Sequence, residues 1–529
     1  MLKPIYFEIF IYLTLFCWFL HITRRTFYLL YFWQLKEYRI DRFWSSTKEN
    51  KAIVFPKIFF IPVFLLISLI VFRKTECNNI WEAATFLFYL LFGLYSLSLL
   101  LGKKWRLPKF TGKMIILCGL VFPAEIILTA FFISEFVFFA LFLEIVFLLF
   151  ISLFVGIMQL PVFLMKNAIE KKAGIKIRQL KNLTVIGVTG SFGKTSTKEF
   201  LYTLLSSKYN CLKTEGNINT KIGIAQFVLK NLKENHRVFI CEMGAYRIGE
   251  IKDICEMVKP KIGILTGINQ QHVDLFGSQE NIIKAKYELI ESLPKDGMAI
   301  FNGDNNYCRE LYQKTNLPKM IACSTEWDLN CEIQAKNIGV EKDFIYFDAI
   351  DKNGKSDSFK VNVFGSQNIQ NILMAILVAK EMGMSEEEIA NAVQSIKPEQ
   401  GGMKCYRNKN GISIIDSSYS ANPDGVVSAL EYLKTWPQKK VIIMPSLIEL
   451  GLASSEIHKN IGRAISQVCD LAIITTKEHF ADIVNGKNDN IFLIENAADI
   501  ANKIRQFASE GDVVLLEGRI PPAVLKLLL

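Results

Sequence analysis

The segment from 185 to 200, V-I-G-V-T-G-S-F-G-K-T-S-T-K-E-F, combines residue types that bind phosphate. An apolar run leads into a glycine-rich loop and a polar stretch, which predicts a strand, a phosphate loop and a helix N-terminus. Lys194 would neutralise the β- and γ-phosphates, and Thr195 would bring a hydroxyl to Mg²⁺. Val188 occupies the place of the first glycine in the usual motif. An ordinary glycine turn is the alternative, which the Lys-Thr-Ser register disfavours.

The elements that would position this loop are α/β layers. From about residue 183, short β-rich runs such as R-V-F-I-C-E-M and D-V-V-L-L-E-G alternate with amphipathic helices. This alternation predicts mostly parallel sheets. A Pro/Gly break at 398–402 separates a P-loop ATPase central domain (183–398) from a Rossmann-like C-terminal domain (399–529). We expect a small β insertion at 325–362 and a linker at 166–182.

The first 165 residues predict a membrane α-helical region. Apolar runs of about 18 to 25 residues can cross a bilayer. We expect five spans, at 4–21, 57–72, 82–101, 114–132 and 136–160. The amphipathic stretch 26–34 would lie in the membrane interface.

Basic residues cluster between spans one and two, between spans three and four, and after span five. They are His21, Arg24, Arg25, Lys36, Arg39, Arg42, Lys48, Lys51; Lys103, Lys104, Arg106, Lys109, Lys113; and Lys166, Lys171, Lys172. The positive-inside rule then makes these regions cytoplasmic, with the N-terminus outside and the ATPase in the cytosol of a plasma-membrane protein. Cys77 would be labelled from outside, and Cys405 would not.

Two carboxylates, Glu125 and Glu144, fall inside spans four and five. An intramembrane carboxylate is by default a functional candidate. The alternative, a hydrogen bond in helix packing or a protonated side chain, is favoured slightly because no base lies in the same spans.

Composition limits the class of protein. Of the 529 residues, 51% are hydrophobic, a larger fraction than is typical of an all-soluble enzyme. Charged residues make up 21%, a larger fraction than is typical of an all-membrane protein. Much of the +10 net charge flanks apolar segments, so membrane anchoring explains it better than nucleic-acid binding. The 11 cysteines lack a Cys-x-x-Cys pair, which predicts reduced thiols. No cleavable signal peptide is indicated.

Further motifs follow in order along the chain. They are T-E-G-N-I-N-T-K-I-G at 214–223, C-E-M-G-A at 241–245, T-G-I-N-Q-Q-H-V-D-L-F-G-S at 266–278, K-A-K-Y-E at 284–288, F-N-G-D at 301–304, G-S-Q-N-I-Q-N at 365–371, S-Y-S-A-N-P-D at 418–424 and I-E-L-G at 448–451. This ordered set resembles the Mur ligase family over about 183 to 529. It is most similar to the member that adds D-alanyl-D-alanine to a UDP-muramoyl tripeptide in peptidoglycan synthesis.

The resemblance implies an ATP-dependent ligase. ATP phosphorylates a carboxylate, an amine attacks the acyl phosphate, and an amide forms; such phosphoryl transfer needs positioning and charge neutralisation. It implies that Lys194 clamps phosphate and that Thr195 with Glu242 holds the first Mg²⁺. His272 and an N-carbamylated Lys286 would hold the second Mg²⁺. Lys284 is the rival lysine, and a solvated helix face is the bland alternative for both.

Other site residues are assigned by the same resemblance. The phosphate loop would use Gly190, Ser191, Gly193, Lys194, Thr195 and Ser196; the reaction centre Asn217 and Asn219; the adenine region Asn302, Asp304 and Asn368; and the amino-acid loop Tyr419 and Asn422. A structural Asn-Pro-Asp-Gly turn is the alternative for Asn422.

The sequence departs from the family pattern mainly after residue 400. The departures are Asp416–Ser417 for a paired Asp, Ser420 for Asn, Gly402–Met403 for Gly-Arg, Gln367 for His, and Glu517–Gly518–Arg519 for Lys-Gly-Ser. They put the incoming dipeptide in doubt. The family's N-terminal nucleotide-binding domain has no counterpart, since predicted spans occupy its place. A lipid-linked muramoyl peptide acceptor, or tethering beside other cell-wall synthesis proteins, would explain the anchor.

Two classes of function therefore remain. One is an amide-forming ligase of peptidoglycan precursors, or another amino-acid-adding ligase of the poly-γ-glutamate type. The other is a membrane scaffold that only binds ATP. Lys194, Glu242, His272 and Lys286 together favour the enzyme, because a nucleotide sensor would not need the second-metal pair.

Overall fold

A computed structural model describes residues 2–40, 43, 60–75, 78–132, 135–324, 331–418, 421–484 and 490–529. The chain forms two compact units, Met1–Lys166 and Asn167–Leu529.

The first unit is helical. Its described helices are α1 Leu2–Leu35, α2 Phe60–Val71, α3 Asn78–Leu101, α4 Gly112–Phe131 and α5 Phe136–Gln179, which continues into the second unit. Three segments, Ile80–Leu101, Gly112–Phe131 and Phe136–Gln179, are long and apolar enough to cross a membrane. They match the third, fourth and fifth expected spans, whereas α2, at the second, has only 12 residues.

The first expected span differs from the structure. Helix α1 runs without a break through 26–34, so that stretch is not a separate interfacial segment. His21, Arg24 and Arg25 consequently lie within a helix rather than in a cytoplasmic loop. The sequence pattern placed the end of the span before these basic residues, because hydropathy takes no account of polar partners elsewhere in the fold. Cys77 lies outside the described residues.

One of those partners is Glu144, in the fifth expected span, and Glu125, in the fourth, also contacts α1. Glu144 contacts the Arg25 guanidinium, and its Oε1 lies 3.1 Å from His21 Nε2. Thr26 Oγ1 donates to Glu125 Oε1 at 2.8 Å. Both carboxylates therefore join α1 to other helices, which agrees with the packing interpretation. The sequence argument looked for a basic partner only within spans four and five, whereas the partners of both carboxylates lie in α1.

The second unit begins with a nine-stranded sheet in the order β2-β3-β1-β4-β5-β6-β7-β8-β9. The strands are β1 Thr184–Thr189, β2 Cys211–Lys213, β3 Val238–Glu242, β4 Ile262–Leu265, β5 Met298–Asn302, β6 Lys319–Cys323, β7 Ile333–Val340, β8 Ile345–Asp351 and β9 Ser356–Val361. Pairing is parallel from β2 across to β7 and antiparallel through β8 and β9, so the expected β insertion extends one edge of the sheet.

Helices cover both faces of this sheet. They are α6 Lys194–Ser206, α7 Lys221–Asn231, α8 Glu250–Val258, α9 Val273–Phe276, α10 Gln279–Glu291, α11 Asn306–Lys314, α12 Gln367–Glu381 and α13 Glu386–Gln394. Ile186 and Ile240 pack in one core, and Val185 and Phe239 pack in the other. Strands buried on both faces explain the near-continuous apolar runs. Much of the expected linker 166–182 is helix α5, and its Ala173 belongs to the second core.

The C-terminal part holds a six-stranded sheet in the order β10-β11-β15-β12-β13-β14, parallel except for β10. Its strands are β10 Lys404–Arg407, β11 Ser413–Ser417, β12 Lys440–Met444, β13 Leu471–Ile474, β14 Ile491–Leu493 and β15 Val513–Glu517. Its helices are α14 Pro423–Leu433, α15 Ser454–Val468, α16 Phe480–Val484, α17 Ala497–Phe507 and α18 Pro522–Leu528. The α/β prediction for both sheets is confirmed.

One pair of cysteines contradicts the prediction of reduced thiols. Cys323, at the end of β6, forms a disulfide with Cys331, and the two Cα atoms are 6.4 Å apart. Their separation of 8 residues matches no spacing motif, so only the approach of the two chain segments brings the thiols together.

Candidate active site

The phosphate loop has the predicted strand–loop–helix form. It connects β1, which ends at Thr189, with α6, which begins at Lys194. Gly193 caps α6 with a φ of 75°, and a Cβ there would lie 2.8 Å from Asn371 Oδ1. A side chain at this position would be strained by its backbone angle and would collide with that amide. The tight turn leaves the first amides of α6 available to an anion.

Lys194 lies across this loop. Its Nζ donates to Gly190 O at 2.7 Å and to Ser191 O at 3.1 Å. Burial lowers the pKa of the Lys194 ammonium, while the nearby Glu242 carboxylate acts in the opposite direction. The ammonium is thus held at the loop by backbone carbonyls, within the part of the site where a polyphosphate would bind.

Glu242 ends β3, the strand beside β1, and is 2% exposed. Its Oε2 accepts from Thr195 Oγ1 at 3.1 Å and from Lys198 Nζ at 3.1 Å, and its Oε1 accepts from Asn219 Nδ2 at 3.1 Å. The structure therefore brings Thr195, Asn219 and Glu242 together. Sequence reasoning missed Lys198, which lies one helical turn after Lys194, so that both lysines share a face of α6.

These donors fit a magnesium ion. Mg²⁺ prefers hard oxygen ligands and is usually held by one or two carboxylates together with water and substrate phosphates. The Glu242 carboxylate and the Thr195 hydroxyl supply such oxygens at the phosphate loop. Among the described residues no group of three or more His, Cys, Asp and Glu side chains forms a closed metal cage. An open, substrate-completed site is the kind that this donor set can form.

His272 precedes α9 and adopts a left-handed φ of 69°. Its Nδ1 contacts a carboxylate oxygen of Glu449, which comes from the loop after β12 in the C-terminal domain. The Tyr246 ring meets the imidazole edge-on at 5.4 Å. Sequence reasoning noted I-E-L-G at 448–451 but gave Glu449 no role.

Lys286 on α10 is buried, whereas Lys284 is exposed. Lys286 Nζ donates to Ala245 O at 3.4 Å and lies 5.8 Å from the centre of the Phe276 ring. Burial, aided by the Lys194 charge, lowers the pKa of Lys286 to about 7. Lys286 is thus placed to have a large fraction of neutral amine near neutral pH.

A cavity of about 340 Å³ lies between the central and C-terminal domains. Its lining is Ile268, Asn269, Gln270, Asp304, Asn305, Asn306, Tyr307, Pro423, Asp424 and Ile457. Of the residues expected near adenine, only Asp304 lines it. Asn302 is buried and donates to Thr266 O at 2.7 Å, and Asn368 is buried and donates to Phe364 O at 2.8 Å. Both side-chain amides thus donate to backbone carbonyl oxygens.

Asn422 has the structural role that was its alternative. It caps α14 by accepting from Gly425 N at 3.1 Å. Its Oδ1 also accepts from Asn269 Nδ2 at 3.1 Å, so it connects the two domains. Asn217 lies exposed between β2 and α7, and Tyr419 lies outside the described residues. Asn269 was missed, although it lies in the motif that contains His272.

Two of the departing residues are neighbours at the carboxyl ends of their strands. Ser417 of β11 is paired in register with Glu517 of β15. Burial raises the pKa of Glu517 to about 8, and a hydrogen bond with Ser417 opposes this shift. The carboxyl ends of β11 and β15 thus contain a buried acid.

Comparison with known proteins identifies the fold. The family model described as the Mur ligase middle domain matches residues 188–379, and the one described as the Mur ligase, glutamate ligase domain matches residues 401–520. Together they cover more than half of the chain, which belongs to the Mur ligase family. It is therefore a ligase that forms an amide bond at the expense of ATP.

Individual proteins that are similar to this chain are also named as ligases. The UDP-N-acetylmuramoyl-tripeptide–D-alanyl-D-alanine ligase of Bacillus subtilis is 27% identical over 358 residues, covering 66% of this chain and 76% of that protein. The Escherichia coli enzyme of the same name is 29% identical over 324 residues, covering 58% and 70%. The crystal structure of MurF ligase from Thermotoga maritima in complex with ADP has a TM-score of 0.62 and 26% identity, covering 69% of this chain and 83% of that one.

Proposed function

We propose that this protein adds D-alanyl-D-alanine to a muramoyl tripeptide through an acyl phosphate, at the cytoplasmic side of the membrane. The observation that carries the proposal is the phosphate loop with Glu242 bound to Thr195, Lys198 and Asn219. The names of the curated relatives support the choice of substrates.

The first half of the reaction is phosphoryl transfer. The acceptor carboxylate attacks the γ-phosphorus of ATP, the bond to the bridging oxygen breaks, and ADP leaves. Lys194 and the amides at the start of α6 neutralise the charge of the phosphates. Thr195 and Glu242 would hold Mg²⁺, which would supply further charge neutralisation. Asn219 holds Glu242 in place through the bond to Oε1.

The second half is acyl transfer. The neutral amine of the dipeptide attacks the acyl carbon and the amide bond forms. Phosphate leaves with the former carboxylate oxygen and takes up the proton that the amine nitrogen loses. His272 and Lys286 are the residues that would hold the second Mg²⁺. An amine must be neutral to form a carbamate, and the pKa of about 7 leaves a large neutral fraction of Lys286 at neutral pH. Carbamylation would convert this cation into an anionic oxygen ligand.

The helical unit bears on where in the cell the reaction takes place. We infer from its three long apolar helices that the chain is anchored in the plasma membrane, with the ligase domains in the cytosol. The family match begins only at residue 188. A lipid-linked muramoyl peptide, already confined to the membrane, is therefore an acceptor to compare directly with the UDP-linked one.

The experiment measures ADP release by purified full-length protein in lipid nanodiscs. UDP-muramoyl tripeptide and its lipid-linked form are each offered with D-alanyl-D-alanine, D-alanine or glutamate. We expect release that requires a muramoyl acceptor and is fastest with the dipeptide. Faster release with glutamate alone would favour the poly-γ-glutamate type of ligase. ATP binding without release under every condition would favour the scaffold.

A further inference from the structure

Two residues with strained backbones meet where the central and C-terminal domains touch. His272 has a φ of 69° and Glu449 a φ of 65°, and their side chains are in contact through His272 Nδ1 and Glu449 Oε2. Non-glycine residues rarely adopt this left-handed region, and such strain is concentrated at functional sites. Both segments therefore expend conformational energy to bring an imidazole and a carboxylate together.

The loop that carries Glu449 is anchored at its base. Leu447 N donates to the buried His458 Nε2 at 2.9 Å, and Ser446 N donates to Thr476 Oγ1 at 2.8 Å. At its far end, a Cβ on Gly451 would lie 2.9 Å from Asp274 Oδ1, so the loop approaches α9 closely there. Glu449 is consequently presented to His272 by a backbone held on both sides.

The contact determines which nitrogen of His272 is free. A carboxylate accepts hydrogen bonds, so Nδ1 carries the proton and donates it to Glu449, which leaves the Nε2 lone pair for a metal. Metal-binding histidines commonly donate their other nitrogen to a carboxylate, and this partner orients the ring and increases its basicity. Glu449 has the position and chemistry of such a partner.

From this geometry we infer that Glu449 is a positioning residue of the C-terminal domain. It fixes His272 so that the second Mg²⁺ site is complete only when the two domains are docked. This inference rests on the proposed function, since it assumes that His272 binds the second ion. Docking and metal binding would then favour each other, as linkage between two equilibria requires.

The test measures Mn²⁺ binding to the full-length protein with ADP by electron paramagnetic resonance. Wild type is compared with Glu449→Gln, which keeps the size but removes the charge, and with Glu449→Asp, which keeps the charge. Glu456→Gln is the matched control, because Glu456 is an exposed glutamate of the same domain. His272→Ala marks the loss of the second ion.

We expect two Mn²⁺ ions in wild type and in Glu456→Gln. Glu449→Gln should weaken the second ion by about 10- to 100-fold and leave the first unchanged, which also shows that the protein is folded. Glu449→Asp should bind the second ion more tightly than Glu449→Gln. Equal second-ion affinity in wild type and Glu449→Gln would overturn the inference alone. A wild type that binds only one ion would overturn the second-metal site of the proposed function, and the inference with it.

Discussion

Two buried carboxylates in this molecule, Glu242 and Glu144, are bound to cations in different ways. Glu242 is held by Lys198 and Thr195 of α6, a helix that begins at the phosphate loop. Glu144 is held by Arg25 and His21 of α1, more than 100 residues away in sequence, inside an apolar helical unit.

The difference lies in what can replace the partners. At Glu242, a bound Mg²⁺ could take the place of the present partners of the carboxylate. Phosphate could bind beside it, because a helix N-terminus attracts anions. The partners of Glu144 are fixed by helix packing, and losing one leaves the other charge buried. We therefore expect the first carboxylate to be needed for activity and the second for stability.

The largest expected effect is at the phosphate loop. Lys194→Ala should lower ATP turnover by about 10²- to 10³-fold, because the phosphates lose an electrostatic partner held in place before the reaction. Initial rates of ADP release measure this, with the exposed Lys284→Ala as the control. Near-normal ligation by Lys194→Ala would contradict the phosphate-loop assignment.

A substitution in the helical unit should instead lower the thermal stability of the protein. Glu144→Gln leaves the Arg25 charge without its carboxylate, and breaking a buried pair typically costs about 3 to 5 kcal/mol. Thermal unfolding in nanodiscs should show a lower Tm with unchanged ATP turnover below it. Glu135→Gln is the control, since its pair with Arg73 is exposed. Loss of turnover in folded Glu144→Gln would erase the contrast with Glu242.

Lys286 tests the second-metal site. Lys286→Ala should lose about 10- to 100-fold in rate, the usual effect of disturbing a metal site. The stimulation of wild type by bicarbonate should increase as the pH rises through about 7, where Lys286 becomes neutral, and should be absent in the variant. The exposed Lys284→Ala should behave as wild type. The reverse pattern would identify Lys284 as the ligand.

The last effect concerns Glu517, at the carboxyl end of β15. Burial raises the pKa of Glu517 from 4.5 to about 8, so between these values the folded state keeps a proton that the unfolded state releases. Stability therefore falls as the pH rises from 4.5 to 8, because the unfolded state binds fewer protons than the folded state. Tm measured at pH 5 and pH 8 should fall less for Glu517→Gln than for wild type. Parallel pH dependence of the two proteins would contradict the buried acid.

Much of the phosphate site could be predicted because its residues lie close together along the chain. Gly190, Gly193, Lys194 and Thr195 fall on one strand–loop–helix unit, whose geometry follows from local patterns. The adenine assignments stay predictions, since an asparagine can bind a ligand or the backbone equally well. Asn368 bonds the backbone, and nothing in its spacing indicates this.

The sequence by itself determined the α/β layers, the phosphate loop and the three long apolar helices, because strand and helix periodicities and glycine turns act over short distances. Only the tertiary structure decided that α1 continues past its charged residues, that Lys198 meets Glu242, and that Glu449 reaches His272 from another domain. These contacts join segments distant in sequence. Their formation depends on burial and on the approach of separate elements, which no local pattern records.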